Sequence, residues 1–195
     1  MSKVRTSHIR WREPITIKFG FTGIDAAEAA LLVRKRFKED FPDLDRPGQC
    51  VYVVRLKGSV AVAYKSNFTP AIYIGAGNAA SRLYNHANWI AELLVAVPNA
   101  DIEVRVADCV RKNDVDLYRY VEADLIAAFI DKFECLPWFN RQRERSYEGQ
   151  REYDAEVLKD FRARIGRVKG SKYLWAIQPT SNNAQYDHYK AGLGV

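Results

Sequence analysis

The sequence predicts an α/β protein, and three observations carry that prediction. Apolar residues make up 48% of the 195 and aromatic residues 12%, enough for a folded core rather than a disordered chain. Short runs rich in β-branched and aromatic residues alternate with longer segments of helical apolar spacing. A turn with two glycines, Gly75-Ala76-Gly77, joins one such run directly to one such segment. The length suits one domain with appendages.

Taken in order, residues 1–46 read as an N-terminal extension. Ile15, Ile17 and Phe19 alternate as an edge strand, and Asp25 caps a helix that runs to Asp40 on an apolar face of Ala26, Ala29, Ala30 and Phe37. The turn-rich Phe41-Pro42-Asp43-Leu44-Asp45-Arg46-Pro47-Gly48 ends it and opens a central domain over residues 47–146. There, Cys50 to Leu56 reads as a strand, Lys57-Gly58 as a turn and Val60 to Tyr64 as the hairpin partner. Ala71 to Ile74 follows as a strand, with a helix to about Val97 stopped by Pro98-Asn99. Ile102, Val104 and Val106 alternate with polar residues as a half-exposed strand. Asp114 caps a long helix to about Phe133, broken by Leu136-Pro137-Trp138-Phe139-Asn140. Residues 147–195 form a C-terminal extension with a helix from Glu152 to Ile165, a strand at Tyr173 to Ile177 and a polar tail expected to be partly disordered.

Charge and cysteine usage narrow the class. Net charge is +6, compatible with a polyanionic partner. Before Asp25 five basic residues, Arg10 and Arg12 among them, face the single acid Glu13; from Arg141 to Lys172 ten basic residues face six acids. Arg10, Arg12, Arg141, Arg143 and Arg145 are therefore candidate phosphate contacts, weighed against ordinary solubilising surface. Cys50, Cys109 and Cys135 lack metal or disulfide spacing and read as small apolar residues, and the three histidines are too few for a multi-histidine metal site. No run of 18 apolar residues exists, so no membrane partner is expected. Met1 to Arg5 lacks the apolar stretch of a secretory leader, so a cytoplasmic protein is expected.

Chemistry concentrates at the glycine turn. Gly75 and Gly77 free the backbone, and Asn78 or Ser81 caps the following helix, whose orphan N–H groups and dipole suit an anion. Arg82 lies in the first turn and His86 four residues on, sharing a face with Trp89 and Ile90 close by. A guanidinium and an imidazole beside a glycine turn read as a phosphate site, although Gly-x-Gly alone is a weak signal and Arg–His at this spacing is usually a solvated helix face. Glu122 falls in an apolar stripe with Tyr118, Leu125, Ile126 and Phe129. A metal or an arginine would compensate such a carboxylate; a helix-edge glutamate reaching solvent is the equal alternative.

These residues together resemble the GIY-YIG nuclease family. Cys50-Val51-Tyr52 stands for its first signature, Tyr73-Ile74-Gly75 is its second intact, Arg82 and His86 match its helix positions, Glu122 its metal-binding glutamate and Asn140 its late asparagine. Cys50 replaces a glycine, Ala76 stands where many members carry lysine, and Tyr52 is far from Tyr73. The resemblance implies a small α/β sandwich, a mixed three-stranded central sheet flanked by helices, with N- and C-terminal additions. It implies an endonuclease cutting double-stranded DNA to 5′-phosphate and 3′-hydroxyl ends, self-contained as in restriction-type members. Its catalytic set would be Tyr52, Tyr73, Arg82, His86, Glu122 and Asn140. Glu122 would hold one Mg²⁺ (or Mn²⁺) per active site, Tyr52 would act as general base and pass its proton to His86, and Asn140 would orient Glu122 or a phosphate. Gly75, Gly77 and Asn78 would contact nucleic acid. A single site cuts one strand, so double-strand cleavage would favour a homodimer or sequential nicking. A non-catalytic nucleic-acid-binding module and a protein–protein interaction domain are the competing expectations.

Overall fold

The computed structural model describes residues 3–18, 24–40, 49–97, 100–141, 151–167 and 170–178. In chain order they form β1 (Ile9–Trp11), β2 (Ile15–Ile17), α1 (Ala26–Asp40), β3 (Cys50–Lys57), β4 (Val60–Ala63), β5 (Phe68–Thr69), β6 (Ala71–Gly77), α2 (Ala79–Ala96), β7 (Asp101–Cys109), α3 (Leu117–Phe133), α4 (Ala155–Ile165) and β8 (Trp175–Ile177). The described residues have a mixed α/β architecture, with two sheets and four α-helices.

An unbroken buried run from Cys50 to Leu56 makes β3 the middle of the larger sheet, because no polar face is left for solvent. The order is β1–β7–β3–β6, with β2 also paired to β7. The expected mixed pairing is not found in this sheet. β3 runs antiparallel to both β6 and β7, and β1 and β2 run antiparallel to β7. The parallel pair lies in the smaller sheet, between β4 and β8. The expected hairpin is also corrected: β4 pairs with β5 and β8 rather than with β3.

The two extensions are built into this frame. Asp25 Oδ1 accepts from Glu28 N at 2.8 Å, so α1 is capped as its sequence signals, and α1 packs along α2. Asp114 does not cap α3, whose N-cap is Asp116. Asp114 instead holds Arg151 with two hydrogen bonds, at 3.1 and 3.2 Å, and Arg151 lies 3.6 Å from the Tyr120 ring centre. Arg55, buried in β3, fastens the end of α4 to the sheet. Its guanidinium donates to the carbonyls of Arg164 and Gly166 and pairs with Glu103 at 3.5 Å. Helix C-terminal carbonyls and their dipole favour a cation there. Burial is the largest influence on Arg55 and brings its pKa down to about 10, which leaves it charged at neutral pH. Cys50 and Cys109 are buried free thiols, as expected, and Cys135 is half-buried. Among the described residues no helix is long and apolar enough to cross a membrane. Phe19, residues 41–48, Arg143, Arg145 and residues 179–195, on which several expectations fell, lie outside the described residues.

Candidate active site

The site begins with strand register. Tyr52 on β3 faces Gly75 on β6, and Val54 faces Tyr73. Opposed residues share a face and side chains alternate, so both tyrosines project to the same side of the sheet. Their ring centres are 5.9 Å apart. Gly75 makes this possible by leaving space. A Cβ there would lie 2.6 Å from the Tyr52 hydroxyl oxygen, 2.7 Å from its Cζ and 2.7 Å from Cε1 of Tyr73. The strand therefore runs through the expected glycine turn to Gly77, and only Gly77, at φ +108°, needs glycine for its backbone.

The next helix brings the charged groups. Asn78 Oδ1 accepts from Ser81 N at 3.0 Å and so starts α2, which places Arg82 one turn before His86. The guanidinium of Arg82 is a hydrogen-bond partner of the Tyr52 and Tyr73 hydroxyls, and Tyr52 first among its influences holds its pKa above the ordinary arginine value. The Tyr52 hydroxyl oxygen is 3.4 Å from His86 Nε2, and the His86 ring meets Tyr73 edge-on at 4.7 Å. Burial, helped by the charge of Arg82, pulls His86 down to about 4, so the imidazole is neutral at pH 7. Burial first, then Tyr73, pushes the Tyr52 hydroxyl well above the usual tyrosine value, against the opposing pull of Arg82. The cluster at pH 7 thus comprises one solvent-exposed cation, a neutral ring base and a protonated phenol.

An aromatic row continues outward from these groups. His86 and Tyr73 sit 5.6 and 6.0 Å from Trp89, which stacks on Phe139 at 4.0 Å and 20°, and Phe139 stacks in turn on Trp138 at 4.8 Å. Sequence reading placed Trp89 on the helix face but took Trp138-Phe139 only as a helix break. The signal available was two adjacent aromatics after Pro137, in a segment too short to need them for its own core.

Asn140 holds this row in place. Its Oδ1 accepts from Ile74 N at 2.9 Å and its Nδ2 donates to Ile74 O at 2.8 Å, while Phe139 N donates to Ile72 O at 3.0 Å. The side-chain amide thereby pairs with the outer edge of β6 as another strand would. These bonds clamp the 138–140 segment to the sheet.

Glu122 is supplied by a different element. It is half-buried on α3, which packs against β6, β3 and α4. Its carboxylate is a hard oxygen donor of the kind Mg²⁺ or Mn²⁺ takes. Among the described residues no three His, Cys, Asp or Glu side chains group together. A divalent ion at Glu122 would therefore be held by that carboxylate together with water and phosphate oxygens, which is how Mg²⁺ is commonly bound.

Of the expected basic contacts, Arg12 is engaged within the fold. It forms a two-bonded pair with Asp108, Nε at 2.9 Å and Nη2 at 2.8 Å. Arg10 is exposed on β1, with its Nε donating to Ser7 O at 3.3 Å, and Arg141 is exposed just after Asn140. Comparison with family models, with curated proteins and with solved structures yields no match.

Proposed function

We propose that the protein is a metal-dependent endonuclease of GIY-YIG type, hydrolysing phosphodiester bonds of double-stranded DNA to 5′-phosphate and 3′-hydroxyl ends. The observation that carries this reading is the convergence of Tyr52, Tyr73, Arg82 and His86 on one face, the two tyrosines buried, His86 half-buried and Arg82 exposed. A planar, permanently charged guanidinium at the rim of a buried polar pair suits a phosphate and its transition state.

The residues divide the chemistry as follows. Arg82 binds two phosphate oxygens and neutralises the charge that develops on them. A phosphate there also draws Arg82 away from the two hydroxyls, which frees them for the attacking water. Tyr52, protonated at rest, takes the water's proton only as its own passes to neutral His86 Nε2, so Tyr52 works as a relay rather than as a free phenolate. Tyr73 fixes the Tyr52 hydroxyl, and Glu122 is the ligand for Mg²⁺ or Mn²⁺. When bound, that ion supplies stabilisation of the leaving 3′-oxygen. One site cuts one strand, so double-strand breaks require a homodimer or two sequential nicks.

Cleavage of supercoiled plasmid with Mg²⁺ tests the reading, comparing the intact protein with Arg82→Ala and Glu122→Gln. Nicked or linear product from the intact protein alone is expected. No cleavage of several substrates in Mg²⁺ or Mn²⁺, with salt-sensitive binding retained, would overturn it in favour of a binding module.

A further inference from the structure

The aromatic row has no part in phosphodiester chemistry, yet it leads straight out of the proposed site. Trp89 touches Tyr73 and His86, and from it Phe139 and Trp138 continue as two successive stacked rings. A core aromatic needs neither such parallel stacking nor an exposed end. Interior rings here meet edge-on or tilted, as Tyr64 does with Phe129 at 85° and Phe133 at 48°. The Trp89–Phe139 and Phe139–Trp138 planes, in contrast, differ by 20° and 30°. Trp138 ends the row at 37% exposure, a large apolar ring left facing water. The segment bearing it is anchored, because Asn140 and Phe139 bond the β6 edge and Trp138 N donates to the Tyr64 hydroxyl at 3.1 Å. The platform is therefore held in advance of any ligand, which lowers the entropy cost of stacking on it. Exposed Arg82 lies at its inner end and exposed Arg141 follows it in the chain, on a protein of net charge +6. A flat apolar ring on a segment that carries an exposed arginine three residues on matches a planar base carried on an anionic backbone.

We propose that Trp138, stacked on Phe139 and through it on Trp89, is a base-stacking platform that receives an unpaired nucleotide of the DNA strand whose phosphate sits at Arg82. This rests on the nuclease reading above and refines its substrate: a duplex bearing a single-stranded or splayed segment at the cut, rather than a fully paired one. A base inside a paired stack presents only its edges, so a ring platform has no face to take from intact duplex.

The test is fluorescence anisotropy, without added metal, on a labelled 20-mer single strand, a blunt 20-mer duplex and the same duplex with a single-stranded flap, using intact protein, Trp138→Ala and Trp138→Phe. The expected result is tighter binding of the single strand and the flap than of the blunt duplex. Trp138→Ala should weaken the first two about tenfold and leave the blunt duplex unchanged, in line with the alanine cost of one base–aromatic stack. Trp138→Phe keeps a ring and should recover most of the loss, which separates stacking from damage to the fold. Equal binding of all three DNAs by intact protein, or an equal loss on all three with Trp138→Ala, would overturn the proposal. So would a loss that Trp138→Phe does not recover. The nuclease reading fails separately, through absent cleavage of every substrate, while Trp138-dependent single-strand binding would persist.

Discussion

Gly75→Ala tests the packing of the site most directly. The added methyl carbon would stand 2.6 Å from the Tyr52 hydroxyl oxygen and 2.7 Å from carbons of both tyrosine rings. Carbon contacts settle near 3.5 Å, so each ring must retreat by about 0.8 Å. Tyr52 is fully buried and Tyr73 nearly so, which leaves little space for retreat. Gly75 lacks a positive φ, so relief of backbone strain contributes nothing either way. Overpacking of this kind costs roughly 2–3 kcal/mol against a total stability of about 5–15 kcal/mol. At this chain length that lowers Tm by about 4–12 °C while the protein still folds. The assay is thermal unfolding followed by circular dichroism, on Gly75→Ala, Tyr52→Ala and the double variant. Removing the Tyr52 ring deletes two of the three close contacts, so in the double variant the alanine should cost at least about 1 kcal/mol less than it does alone. A Tm within about 1 °C of the parent, or strict additivity, would refute the claim that Gly75 exists to seat the tyrosines.

Four further outcomes follow from the same geometry. Arg55→Met should destabilise by about 3 kcal/mol in urea titration, since it leaves Glu103 and two helix-end carbonyls short of their buried partner; a loss under about 1 kcal/mol would show that the clasp on α4 is dispensable. His86 has a folded pKa of about 4 against an ordinary 6.5. Its contribution to stability is therefore present in full above pH 6.5 and lost as pH falls toward 4, because the unfolded chain binds the proton more readily. Urea midpoints for intact protein and His86→Asn should converge across that window, and parallel curves would refute the assignment. Tyr52→Phe should abolish plasmid cleavage while DNA affinity holds within about twofold, since affinity comes mainly from phosphate contacts made by cations; turnover above a tenth of the parent would remove Tyr52 from the relay. Arg82→Lys should lose most of the activity that Arg82→Ala loses, because a single ammonium cannot bridge two phosphate oxygens as the fork does, and near-parent cleavage by Arg82→Lys would contradict bidentate binding.

Much of the frame was legible in the sequence because local signals and tertiary needs coincide there. Asp25 and Asn78 are good caps and do cap, and the apolar run Cys50 to Leu56 has no polar side and takes the middle of the sheet. The failures fall where local and distant partners compete. Lys57-Gly58 looks like a hairpin turn, yet β4 finds β5 and β8, because β7, some fifty residues on, takes the neighbouring place on β3. Gly75 was read through backbone freedom, but its reason is a ring arriving from another strand. The proximity of Arg82 to His86 followed from helical spacing, whereas Trp138 and Phe139 stacking on Trp89 depended on where a loop fifty residues away would dock. Asn140 stood out as a functional letter, and its bonds to Ile74 are a structural contact that the sequence did not announce. Arg55 drew no separate reading within its strand, and nothing near it in sequence names the carbonyls it serves.

The place of β7 bears on how the chain acquires its shape during synthesis. β1, β2 and β3 all pair with this one strand, whose residues are made about a hundred positions after β1. On a ribosome adding roughly 5–20 residues per second, the first strands wait about 5–20 s before their partner exists. In that interval, among the described strands, β1 and β2 have no native neighbour in the larger sheet, and β3 has only β6. The nascent chain thus carries unpaired strand edges for seconds, and the larger sheet cannot be completed before β7 is made.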